Sequence, residues 1–156
     1  MSERTRSDRY TGLRNISKIR GMTRIIGVVS GKGGVGKTTL VSNLGVALAH
    51  EGLNVALLDS NITGPNLGLH FGMMACPHGV QNVMKDEIPL TKAMYKHPSG
   101  VDIIPARLSI DYLDVDPVNL KELLNELLYK DYILIDAATG LDRETLVAID
   151  MCDEAI

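Results

Sequence analysis

The residues with the clearest chemistry lie in Gly31-Lys32-Gly33-Gly34-Val35-Gly36-Lys37-Thr38. Two glycines separated by four residues and followed by Lys-Thr form the phosphate-loop pattern. Glycines let a backbone fold closely around a polyphosphate and turn several N–H groups inward at the positive end of a helix. Gly31, Gly33, Gly34, Val35, Gly36 and Thr39 then belong to the cradle. Lys37 would reach the β- and γ-phosphates, and the Thr38 hydroxyl would reach Mg²⁺. Asp136 is a second chemical position, because it follows the aliphatic run Tyr132-Ile133-Leu134-Ile135. A carboxylate there can hold Mg²⁺, usually through a water, beside a phosphate loop. Asp59 is a third, at the end of Asn54-Val55-Ala56-Leu57-Leu58.

Such residues meet only if strands and helices bring them together. Ile25-Ile26-Gly27-Val28-Val29-Ser30 is a short β-branched run that reads as a buried parallel strand leading into the loop. Leu40, Leu44, Ala47 and Leu48 then recur at helical spacing, and Gly52 is placed to end that helix. A glycine-rich turn that binds nothing is the competing reading; strand, loop, Lys-Thr and helix in register speak against it. Asn54–Asp59 and Val101–Pro105 read as further strands, and Val83–Lys96 as one or two short helices around Pro89. Asp116-Pro117 should start a helix whose Leu120, Leu123, Leu124, Leu127 and Leu128 face a sheet. Asp142 should cap another, carrying Leu146, Val147 and Ile149. The alternation predicts an α/β fold, doubly wound around a mainly parallel sheet, and with the phosphate loop it resembles the P-loop NTPase type.

Lys32 narrows the reading. A lysine directly after the first glycine is not part of the general pattern, yet Lys32-Gly33-Gly34-Val35-Gly36-Lys37-Thr38-Thr39 resembles the phosphate loop of the MinD/ParA ATPases. Taken alone, Lys32 also reads as a solvated loop lysine. Asp59, Asn66 and Leu67 resemble that family's first switch segment. Asn61 departs from it, since the family usually has an Asp there, close to Mg²⁺ and the attacking water. Gly140 matches the second switch glycine, whose N–H approaches a γ-phosphate. Asp153-Glu154-Ala155-Ile156 is similar to the entry into the family's next strand, so the chain is expected to be the N-terminal portion of a longer protein.

The resemblance implies ATP and Mg²⁺ as cofactors, with slow hydrolysis in a homodimer formed on ATP binding. In that dimer Lys32 crosses to the partner's nucleotide, and Lys32, Lys37, Asp59 and Asp136 form the catalytic set. It implies a switch in cell-division site placement or in chromosome or plasmid partitioning, with a protein regulator. A membrane surface or DNA would be its target, and its location would be the cytoplasm or the inner face of the cell membrane. Two other classes stay open. One is an iron–sulfur cluster carrier of the Mrp type, although Cys76 and Cys152 do not sit at the matching places. The other is a scaffold that senses nucleotide without hydrolysing it, which Asn61 keeps alive.

Composition bounds these readings. The 156 residues suit one domain, and 45% hydrophobic content suffices for a core. No apolar run approaches a membrane span, and no secretory signal is visible. Two cysteines are too few for a disulfide framework and suggest a reducing compartment. No tryptophan and one phenylalanine argue against base stacking on single-stranded nucleic acid. Residues 1–24 carry seven basic side chains against two acidic ones, while the rest carries nine against seventeen. Residues 1–23 therefore read as a basic, mobile extension before an ATPase domain at 24–156. Its Tyr10, Leu13, Ile16, Ile19 and Met22 could form only a short apolar stripe. Cys76-Pro77-His78 lacks a second ligand cluster, and His50, His70 and His97 show no partner pattern.

Overall fold

The computed structural model describes residues 23–108, 115–140 and 143–156. Six strands form one sheet: β1 (Arg24–Ser30), β2 (Val55–Asp59), β3 (Tyr95–Lys96), β4 (Asp102–Ile104), β5 (Tyr132–Thr139) and β6 (Glu154–Ala155). Their order is β3-β4-β2-β5-β1-β6, and every pairing except β3 with β4 is parallel. The helices are α1 (Lys37–His50), α2 (Leu67–His70), α3 (Val80–Met84), α4 (Leu90–Ala93), α5 (Leu120–Glu126) and α6 (Arg143–Met151).

Helices cover both faces, so the central strands are apolar on both sides. Ile26, Val28, Leu57, Ile103 and Leu134 pack toward Val41, Leu44 and Leu48 of α1. Ile25, Ala56, Leu58, Ile133 and Ile135 face the other way, toward Leu120, Leu123, Leu124 and Leu127 and toward Ala148 and Met151 of α6. The leucine face is thus core. Asp116 caps its start as expected, accepting a hydrogen bond from the Val118 N–H at 3.0 Å, and a 3₁₀ turn over Pro117–Asn119 leads into α5.

Several elements differ from expectation. The buried face of α1 is Val41, Ser42 and Gly45, whereas Leu40 and Ala47 are exposed. The cause is a close approach: a Cβ at Gly45 would overlap the Leu57 side chain, so the helix lies with its glycine against β2. The segment expected to be helical up to Lys96 ends instead in β3, an antiparallel edge strand turned back onto β4 through His97–Gly100. In α6, Thr145, Ala148 and Met151 are buried, while Leu146 is exposed. β5 runs three residues past Asp136, because an irregularity between Val28 and Ser30 brings Ser30 opposite Thr139. Thr23, expected in the extension, is buried and donates its hydroxyl to the Leu128 carbonyl at 2.7 Å. The rest of that extension, Tyr112 and the Asp142 cap lie outside the described residues.

At the amino-terminal ends of the strands, Lys130 is buried between Asp102 and Asn54, with its ammonium 4.9 Å from the Tyr129 ring centre. At the carboxyl-terminal ends, the loops that follow β1 and β2 flank β5 on its two sides. A crevice between such loops is where open α/β sheets hold ligands.

Candidate functional site

The loop after β1 is built locally. Ser30 Oγ accepts a hydrogen bond from the Lys32 N–H at 3.0 Å and donates to the Lys32 carbonyl at 2.7 Å, fixing the exit from the strand. Gly36 then sits at φ 99°, a left-handed conformation that side-chain-bearing residues rarely adopt, and α1 starts at Lys37. The first N–H groups of α1 are thereby turned toward the crevice. Gly34, Gly36, Lys37, Thr38 and Thr39 line a cavity of about 280 Å³ together with Asp136, Ala137 and Thr139 of β5 and with Asn61, Asn66 and His70. Lys37 Nζ donates to Thr139 Oγ1 at 3.1 Å.

The floor holds the most informative contact. Thr38 Oγ1 donates to Asp136 Oδ2 at 2.6 Å, bringing together two residues 98 positions apart. The other carboxylate oxygen, Asp136 Oδ1, is buried and has no hydrogen-bond partner. Burial pushes the Asp136 carboxyl upward, outweighing the Thr38 hydrogen bond and the charges of Lys37 and His70. A buried carboxylate oxygen without a partner, beside a threonine hydroxyl and a lysine, is a donor set that fits a hydrated Mg²⁺. No group of three or more His, Cys, Asp or Glu side chains able to hold a metal ion occurs among the described residues.

The facing wall behaves differently from what the sequence suggests. Asp59, placed in the catalytic set by resemblance, is fully buried and does not line the cavity. Its Oδ1 accepts from the Asn61 N–H, and its Oδ2 accepts from the N–H groups of Asn66 and Leu67 at 3.1 and 3.0 Å. Burial nevertheless pushes its carboxyl up to about 7, against those donors. Asp59 anchors the 60–67 loop and is not presented to the cavity. The Gly140 N–H donates to the Ser30 carbonyl at 3.1 Å, and Gly140 is not among the residues that line the cavity. Gly31, Lys32, Gly33 and Val35 are exposed and are not among the residues that line the cavity.

Asn61 lines the cavity, but its amide is committed to a turn. Nδ2 donates to the Gly64 carbonyl at 2.7 Å, while Oδ1 accepts from the Gly64 N–H and the Thr63 hydroxyl. An aspartate could not make the first of these bonds. Sequence reasoning left Thr139 and His70 out of the site. For His70 the available signal was its spacing of four from Asn66, which puts both on one face of a helical turn.

Residues 21–153 match the ParA family, described as NUBPL iron-transfer P-loop NTPases. An uncharacterised ATP-binding protein of Methanocaldococcus jannaschii is 39% identical over 134 residues, which cover 85% of this chain and 51% of the relative. The septum site-determining protein MinD of Synechocystis is 36% identical, over 86% of this chain and 52% of its own length. The structure of Pyrococcus horikoshii MinD with Mg-ADP superposes with a TM-score of 0.81 at 36% identity, over 86% of this chain and 56% of that one. The chain spans about half the length of the curated relatives that it matches. With a phosphate loop, a Thr38–Asp136 floor and a parallel sheet that superposes on MinD, the chain belongs to the ParA/MinD family of P-loop NTPases.

Proposed function

We propose that this chain forms the phosphate- and Mg²⁺-binding half of an ATPase that hydrolyses slowly and works as a nucleotide-switched dimer. The observation that carries the reading is the Thr38 hydroxyl on Asp136, with the second carboxylate oxygen buried and free beneath the glycine loop. Thr38 and Asp136 would hold Mg²⁺, which when bound neutralises charge on the β- and γ-phosphates. Lys37 supplies a fixed positive charge to the same oxygens, and the α1 N–H groups supply neutral donors. Asn61 offers no carboxylate to orient a water, which supports slow turnover. The exposed Lys32 is free of the cavity and suited to reach a second subunit's nucleotide.

Lys37→Ala should abolish binding of ATP and ADP by calorimetry while the fold survives; unchanged affinity in the presence of Mg²⁺ would sink the phosphate-loop reading. Light scattering on Lys32→Ala with ATP tests the dimer. MinD relatives support a role in positioning division or segregation machinery. A second reading, transfer of iron–sulfur clusters, is favoured by the description of the matched family. Both cysteines are free and partly exposed, and burial pushes both thiols up, that of Cys152 to about 12. Iron and sulfide content of anaerobically purified protein separates the two readings.

A further inference from the structure

The cavity wall formed by Asn61, Asn66 and His70 faces the phosphate loop across β5, and its three side chains are not equally available. The Asn61 amide is fully engaged within its own turn. Asn66 Nδ2 donates to the Gly64 carbonyl at 2.8 Å, and its carbonyl oxygen, an acceptor only, would repel a phosphate. The His70 ring makes no hydrogen bond to any described residue. Its position is also informative. His70 lines the same cavity as Thr38 and Asp136, the two residues that would hold the metal. A metal held there would neutralise charge on the terminal phosphates, so a donor that shares the cavity with those residues faces the same phosphates.

We propose that His70 donates a ring N–H hydrogen bond to the terminal phosphate of a bound nucleoside triphosphate, and so makes this site prefer tri- over diphosphate. This rests on the nucleotide reading above and deepens it. The glycine loop and Lys37 hold what ATP and ADP share; His70, carried on α2 at the end of the Asp59-anchored loop, reads what they do not. The loop thus presents a γ-phosphate contact from residue 70, three positions after Leu67, whereas residue 61 serves the turn.

The test is calorimetry on the full-length protein with Mg²⁺, using ADP and a non-hydrolysable ATP analogue. His70→Ala should weaken the triphosphate about 10-fold or more, the expected loss of a hydrogen bond to a charged group. ADP affinity should change less than about twofold, because the phosphate loop is untouched. His70→Gln, which keeps an N–H donor, should recover part of the loss. Unchanged triphosphate binding in both variants, or an equal loss of both nucleotides, overturns the assignment. A wild type that binds neither nucleotide defeats the nucleotide reading itself, a result distinct from either of those.

Discussion

Asp59 and Asp136 sit opposite each other on neighbouring strands, both buried and both pushed upward by burial, yet they do different work. Asp59 accepts hydrogen bonds from three backbone N–H groups of the loop that follows it, on both of its oxygens. Asp136 takes one hydroxyl and keeps an oxygen with no partner. The same residue type at the same level of the sheet is a hinge pin for the chain in one strand and an open coordination point in the other. What separates them is the neighbouring loop: after β2 it folds back over its own strand, whereas after β5 there is more strand, as far as Thr139.

Removing the Asp59 carboxyl has the largest expected effect. Asp59→Ala leaves three N–H groups without their acceptor and should cost about 3 kcal/mol or more. Denaturant unfolding measures it, and a loss below 1 kcal/mol would show that the loop is held by other contacts. This difference should also vary with pH. Asp59 has its folded value raised to about 7 from an ordinary 3.8, so its contribution is fully present below pH 3.8. That contribution is lost as pH rises through about 7, and the gap between wild type and Asp59→Ala should narrow over that interval.

Asp136→Asn should behave in the opposite way. Burial disfavours the charge that it removes, so the protein without ligand should melt no lower than wild type. The Mg²⁺-dependent part of ADP affinity should fall about 10- to 100-fold, as for other residues that orient a metal's ligands. Binding measured with and without EDTA separates the two effects. Equal Mg²⁺ dependence in variant and wild type would remove Asp136 from the metal site.

A third carboxylate, introduced at residue 61, is the mildest change. Asn61→Asp forfeits the donation to Gly64 and should cost about 1 kcal/mol, read as a small drop in Tm. In the full-length protein it should also speed single-turnover hydrolysis. An unchanged rate would mean that residue 61 serves only the turn.

How much of this was legible in sequence follows from how local each signal is. Gly36, Lys37 and Thr38 declare themselves because spacing within a few residues defines the phosphate loop, and the aliphatic run before Asp136 does the same for its strand. Their meeting across 98 positions was inferable only because one motif calls for the other. The state of Asp59 was not legible, since an aspartate ending a strand looks alike whether its oxygens are occupied or free. Lys130 shows the same limit. Its neighbours in sequence suggest a surface turn, but its acceptors, Asp102 and Asn54, come from 28 and 76 residues away. The face of α1 was misread because a glycine carries no hydropathy signal, although here it is the residue in contact with the sheet.

That glycine sets a clearance. α1 is a single rod, with Lys37 and Thr38 at one end and Gly45 two turns along it, resting on Leu57. The height of the cation and the hydroxyl above the crevice floor is therefore gauged by the thickness of one leucine under one missing methyl group. A substitution at 45 or 57 would tilt the rod, and a defect far from the cavity would present itself as weakened grip on phosphate.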